Sequence, residues 1–158
     1  MTEPAPKIGR GERRSAARLA AVQALYQMDL AGKGLHEVFA EFEKHWMGRE
    51  IEGDQYKPAE AALFRSILEG VLEHQRALDP RIDDILHHTW PLKRIETVMR
   101  AALRAGAYEL VFSRDVPPKV VISEYVDITR AFFERDETNM VNAVLDKLAR
   151  EERADELA

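Results

Sequence analysis

Apolar residues recur at intervals of three and four along every long segment of this chain, and no stretch alternates apolar with polar. Leu63, Phe64, Ile67, Leu68, Val71 and Leu72 show the period most clearly, which lines one side of an α-helix and excludes a half-buried strand. The fold class is therefore all-α. A first helix is predicted from Ser15 to Leu30, carrying Leu19, Val22, Leu25 and Tyr26, with Ser15 as its N-cap and Gly32 and Gly34 beyond its end. A second spans Leu35 to Trp46 with a stripe of Leu35, Val38, Phe39, Phe42 and Trp46. A charged loop with two glycines leads to a third helix from Pro58 to Leu78, which Pro80 ends. A short helix with Ile82, Ile85 and Leu86 follows. A fifth, from Leu92 to Leu110, carries Ala101, Ala102, Ala105, Gly106 and Ala107, small enough for neighbouring helices to approach closely. Two more are read at Pro118 to Phe133 and from a Thr138 cap through Met140, Val141, Val144, Leu145 and Leu148.

A chain of 158 residues makes one domain with a real core more economically than two independent ones. The expected organisation is a flexible basic arm over 1–14, a helical domain over 15–150 and a frayed acidic tail over 151–158. The chain has no cysteine, which excludes disulfides, Cys-ligated zinc and a thiol nucleophile, and fits a reducing compartment. No apolar run is long enough to span a bilayer. The N-terminus lacks the apolar core of a secretory signal, so a cytoplasmic location is expected and no membrane partner.

Charge is distributed unevenly. Lys7, Arg10, Arg13, Arg14 and Arg18 against Glu3 and Glu12 make the first 18 residues basic, although the whole chain carries −5. An acidic protein with a basic leading end repels polyanions everywhere except there, and clustered arginine supplies phosphate binding irrespective of total charge. Arginine also presents a planar fork suited to phosphate and base edges. Arg14 and Arg18 stand four residues apart and share a helix face. Lys119, at the start of the helix after Pro117 and Pro118, opposes the helix dipole: either it points harmlessly into solvent or it awaits an anion. Asn142, between Val141 and Val144, reads as a buried amide with a structural partner, and Glu109 and Glu124 read as structural.

Catalysis finds no support in the residues. The five histidines form no metal-binding pair with a carboxylate between them, and His87 and His88 diverge by about 100° on a helix. No Gly-rich phosphate loop or nucleophile elbow is present. Neither enzyme activity nor a cofactor is expected.

Five ordered pieces carry a resemblance over nearly the whole chain. These are SAARLAAVQALYQ from Ser15, the turn of Trp90, Leu92 and Arg94, LRAGAYEL over Leu103–Leu110, DVP at Asp115–Pro117 with VVISE after it, and VNAVLD over Val141–Asp146. In order and spacing they resemble the NusB family of transcription antitermination factors. The resemblance implies about seven helices in two small bundles sharing a core. It implies binding of boxA RNA of ribosomal RNA leaders, together with the small-subunit ribosomal protein that acts as NusE, and onward engagement of other Nus factors and RNA polymerase. Self-pairing into a homodimer that hides the arginine face is compatible with it.

Residue by residue, the resemblance places RNA contact on Arg10, Arg13, Arg14 and Arg18, with Arg18 in the best-aligned position. Asp136, in the loop before the last helix, corresponds to a family position near the RNA, where it would accept a base amino group or tune neighbouring arginines. Arg94, Arg104, Lys119 and Met140 complete the RNA-binding candidates. Tyr26 corresponds to a family tyrosine facing the ribosomal protein, and reads equally well as a core aromatic. This chain departs from the family pattern where Met140 and Ala143 replace Phe and Gly, and where Tyr125 replaces a small Ala. Two other readings stay open: an RNA-binding accessory domain like that of ribosomal RNA cytosine methyltransferases, and a protein-only helical adaptor.

Overall fold

The computed structural model describes residues 10–47, 58–86 and 95–157, and every regular element among them is helical. In chain order these are α1 (Arg10–Ala31), α2 (Leu35–Met47), α3 (Pro58–Leu86), α4 (Thr97–Phe112), α5 (Pro118–Arg130), α6 (Arg135–Glu152) and α7 (Ala154–Leu157). The apolar stripe of each long helix supplies one shared core, in which Ala21, Val22, Ile67, Leu68, Leu103, Leu110, Val121 and Leu145 are buried. α4 packs against α1 and α3 on one side and α5 and α6 on the other. The two groups of helices thus meet on one element, and its small residues explain how. Ala101, Ala102, Ala105, Gly106 and Ala107 are all buried. A Cβ added at Gly106 would lie 3.0 Å from both Leu145 methyl carbons and 3.3 Å from a Tyr125 ring carbon, so only hydrogen fits without displacing a neighbour.

Several boundaries differ from expectation. α1 begins at Arg10, so part of the expected flexible arm is helical. Ser15 is no cap: it lies inside the helix, donating to Glu124 Oε1 at 2.8 Å with the Gly11 carbonyl as an alternative acceptor at 3.1 Å. α3 does not stop at Pro80 but runs through it. Leu78, Ile82 and Leu86 are buried on one face, whereas Arg76 and Pro80 are exposed. The carbonyl that proline deprives of a partner therefore faces water, and the buried face outweighs one missing hydrogen bond.

At α6 the N-cap position is Glu134, four residues before the expected Thr138. Thr138 is instead buried inside the helix, where its hydroxyl donates to the Glu134 carbonyl at 3.0 Å. α5 ends at Arg130, leaving Phe132 and Phe133 beyond it, Phe132 being half exposed. The final stretch is helical too. Arg153 is fully buried, and its Nη2 donates to the Val116 carbonyl at 2.7 Å and to Glu156 Oε1 at 2.6 Å. This tie docks α7 on the turn before α5. The burial expected for the Trp46 side chain and the turn from Trp90 to Arg94 lie outside the described residues.

Two outcomes follow from this packing. A Cβ built on Gly70 would overlap the Tyr108 ring, which a contact between the Ser66 and Tyr108 hydroxyls, 3.1 Å apart, holds in place. Gly70→Ala should therefore destabilise the protein by about 1–2 kcal/mol in urea unfolding, although alanine in a helix ordinarily gains about 1 kcal/mol over glycine. The hydrogen bond from Arg153 holds the Glu156 carboxyl below its ordinary value. A depressed carboxyl contributes above its unfolded value and loses that contribution as pH falls through the folded one. Backbone carbon shifts of Ala154–Leu157 should consequently move toward coil below about pH 4.5 while those of α4 stay helical.

Candidate nucleic-acid interface

The leading helix carries its cations in unequal settings. Arg18 is only 2% exposed. Its Nε donates to Glu109 Oε2 at 2.8 Å and its Nη2 to Glu109 Oε1 at 3.0 Å, while Nη1 lies 3.9 Å from Glu124 Oε1. Glu109, 1% exposed, also accepts from the Tyr125 hydroxyl at 2.5 Å. Burial alone would lower the Arg18 pKa; the hydrogen bond to Glu109 and its charge outweigh that and hold it raised. Burial, reinforced by the Glu109 charge, pushes the Tyr125 phenol well up. Arg18 is thus a permanent cation committed to Glu109, and the expectation that it grips phosphate is corrected. All three guanidinium nitrogens face carboxylates of the protein itself. The structural reading of Glu109 and Glu124 matches this geometry.

Arg13 and Arg14 sit one turn earlier. Arg13 Nε lies 3.5 Å from Glu60 Oε1, with the Arg13 side chain 12% exposed and that of Glu60 2%. Arg14 is half-buried. Arg10 opens the helix. Arg13 and Arg14 remain as cations of this end of α1, and the Arg10 side chain lies outside the described residues.

The other candidates do not gather there. Arg104 grips Asp79 in two hydrogen bonds of 2.9 and 2.8 Å, which joins α4 to α3. Arg104 helps line a cavity of about 320 Å³ with Leu25, Met28 and Asp29, residues of the other end of α1. That end is about 20–30 Å from Arg10 at 1.5 Å per residue. Tyr26 is half-buried on the same stretch. Arg94 lies outside the described residues.

Lys119 is exposed on α5 and lines a shallow groove of about 320 Å³ with Ser123, Arg130 and Asn142. Asn142 is exposed, not buried as its spacing suggested, because Val141, Val144 and Leu145 already fill the core face of α6. Asp136 is exposed in the first turn of α6, where the helix dipole favours a carboxylate whatever it binds. Met140, one turn on, packs partly against the core. Asp136 and Met140 therefore share a face at the α5–α6 corner. Glu124 of α5 ties this group of helices to the start of α1, through its hydrogen bond from Ser15 and its ion pair with Arg18. Glu60 is the site residue that sequence reasoning missed. Nothing in its helical period marks it, since it is a carboxylate at the start of an apolar stripe.

A model described as the NusB family matches residues 15–150. The chain belongs to the NusB family. It is 61% identical over 157 residues to the transcription antitermination protein NusB of Rhodopseudomonas palustris HaA2, covering 99% of this chain and 93% of that protein. It is 62% identical over 147 residues to its counterpart in Bradyrhizobium diazoefficiens, covering 93% and 89%. The solved T. maritima NusB superposes with a TM-score of 0.76 at 27% identity, covering 91% of this chain and 96% of that one. The all-α NusB fold is thus the fold of this chain. In this member of the family no helix among the described residues is long and apolar enough to cross a membrane.

The Arg18 geometry predicts the outcome of replacing that residue. Arg18→Ala leaves Glu109 buried without its cation, which costs about 3–5 kcal/mol. Thermal unfolding should show that loss, and any fall in ligand binding should follow the folded fraction, with binding restored where the variant is fully folded.

Proposed function

We propose that this chain is an RNA-binding transcription antitermination factor that acts by assembly and performs no chemistry. Its relation to transcription antitermination proteins over almost the full length of both chains carries this reading. The cationic edge formed by Arg10, Arg13 and Arg14 holds the backbone of single-stranded boxA RNA, while Asp136 and Met140 at the α5–α6 corner meet its bases. Lys119 adds charge on the neighbouring face. Tyr26 and the cavity beside it receive the small-subunit ribosomal protein that acts as NusE. The two ligands meet opposite ends of one helix, so each tethers the other near its site and joint binding is tighter than either alone. The composite then engages RNA polymerase with other Nus factors and favours read-through of terminators, in the reducing interior of the cell. The methyltransferase accessory domain and the protein-only adaptor have less support, since the relatives are named as antitermination proteins.

The test is a titration of boxA-type RNA and a scrambled control at two salt concentrations, with and without the ribosomal protein. Log affinity should fall with log salt by about 0.7 per phosphate neutralised. Replacing Arg14 with Ala should reduce that slope by about 0.7 with no change in thermal midpoint. Equal affinity for both RNAs in the presence of the ribosomal protein overturns the reading.

A further inference from the structure

Two carboxylates from different helices hold the first turns of α1. Arg13 leans on Glu60, a nearly fully buried residue in the first turn of α3. Ser15 donates to Glu124 of α5 at 2.8 Å. Positions 13 and 15 lie about 200° apart around a helix of 3.6 residues per turn. The two struts therefore brace opposite flanks of α1, and Arg14 occupies the arc between them.

We infer that Glu60 and Glu124 are positioning residues for RNA: they keep the arginine-bearing turns of α1 helical before the ligand arrives, so that binding does not have to order them. The inference rests on the RNA-binding reading above. A basic segment left as coil would lose backbone freedom when phosphates fix it, and that loss subtracts from affinity. Isolated helix ends also fray, because their leading N–H groups lack intrahelical acceptors. The struts oppose fraying from outside the helix. Glu60 is placed for the task by the N-terminal end of α3, where free N–H groups favour a negative charge.

Simple electrostatics predicts the opposite effect of removing these groups. An acid beside a phosphate-binding edge repels RNA, so neutralising Glu60 should strengthen binding if charge alone mattered. If Glu60 positions the helix, neutralising it should weaken binding. The sign separates the two.

The experiment uses the full chain, as wild type, Glu60→Gln and Ser15→Ala, the last removing the hydrogen bond from Ser15 to Glu124 without altering any charge. Affinity for fluorescent boxA-type RNA is measured at two salt concentrations, and amide exchange is followed over residues 14–18. Both variants should exchange faster there and bind RNA about three- to tenfold more weakly. The salt slope of Ser15→Ala should stay as in wild type, because that substitution alters no charge. Affinity for the ribosomal protein should not change. An unchanged or raised RNA affinity in Ser15→Ala overturns the inference, and this variant decides alone if Glu60→Gln fails to fold. A wild type without selective RNA binding would instead defeat the functional reading itself.

Discussion

The fold depends on one buried cation. Arg18 of α1 enters the interior only because Glu109 of α4 meets it with two hydrogen bonds, and Glu109 is completed by the hydroxyl of Tyr125 on α5. A charge this far from water is tolerable only when paired and hydrogen-bonded, so the three helices must approach in one register. A slip of one residue along α1 would put a hydrophobe against Glu109 and leave the carboxylate bare. Apolar burial makes the helices cohere, but it discriminates poorly between registers of an alanine-rich helix. The ion pair supplies that discrimination.

The surrounding sequence is fitted to this triad. The space for the Tyr125 ring comes from Gly106, which has no side chain to obstruct it. The tyrosine fills the gap beside α4 and donates to Glu109 Oε2, the oxygen that also accepts from Arg18 Nε. Buried polar networks are stabilising only when each member is satisfied. Here the phenol holds its proton, being pushed well above its ordinary range, and remains a donor throughout physiological pH.

The helical period was enough to read the fold class, because apolar spacing reports directly on which face is buried, and the small residues of α4 were enough to read close helix approach there. Helix ends were less legible. Ser15, Pro80 and Thr138 each carry a local signal for a cap or a break, and in each case tertiary packing overrides it: Glu124 for Ser15, burial of the Leu78–Ile82–Leu86 face for Pro80, the core for Thr138. The C-terminal stretch looked too polar to fold, yet one buried arginine docks it. The site was legible as a cluster of cations and not as a geometry. Spacing put Arg14 and Arg18 on one face correctly, but spacing has no term for what a face meets, and that face meets Glu109.

This distinction changes the electrostatic reading of the leading end. Counting cations along the sequence assigns them all to phosphate, whereas Arg18 is neutralised internally and Arg13 leans on Glu60. Fewer charges remain for the polyanion, so the salt-dependent part of RNA affinity must be smaller than composition suggests. A chain of net charge −5 repels RNA over most of its surface, and a weak local attraction cannot overcome that by strength alone. It can do so by order: a few arginines held on a braced helix present a fixed pattern to the phosphates, and a fixed pattern discriminates between strands in a way that a flexible basic tail cannot.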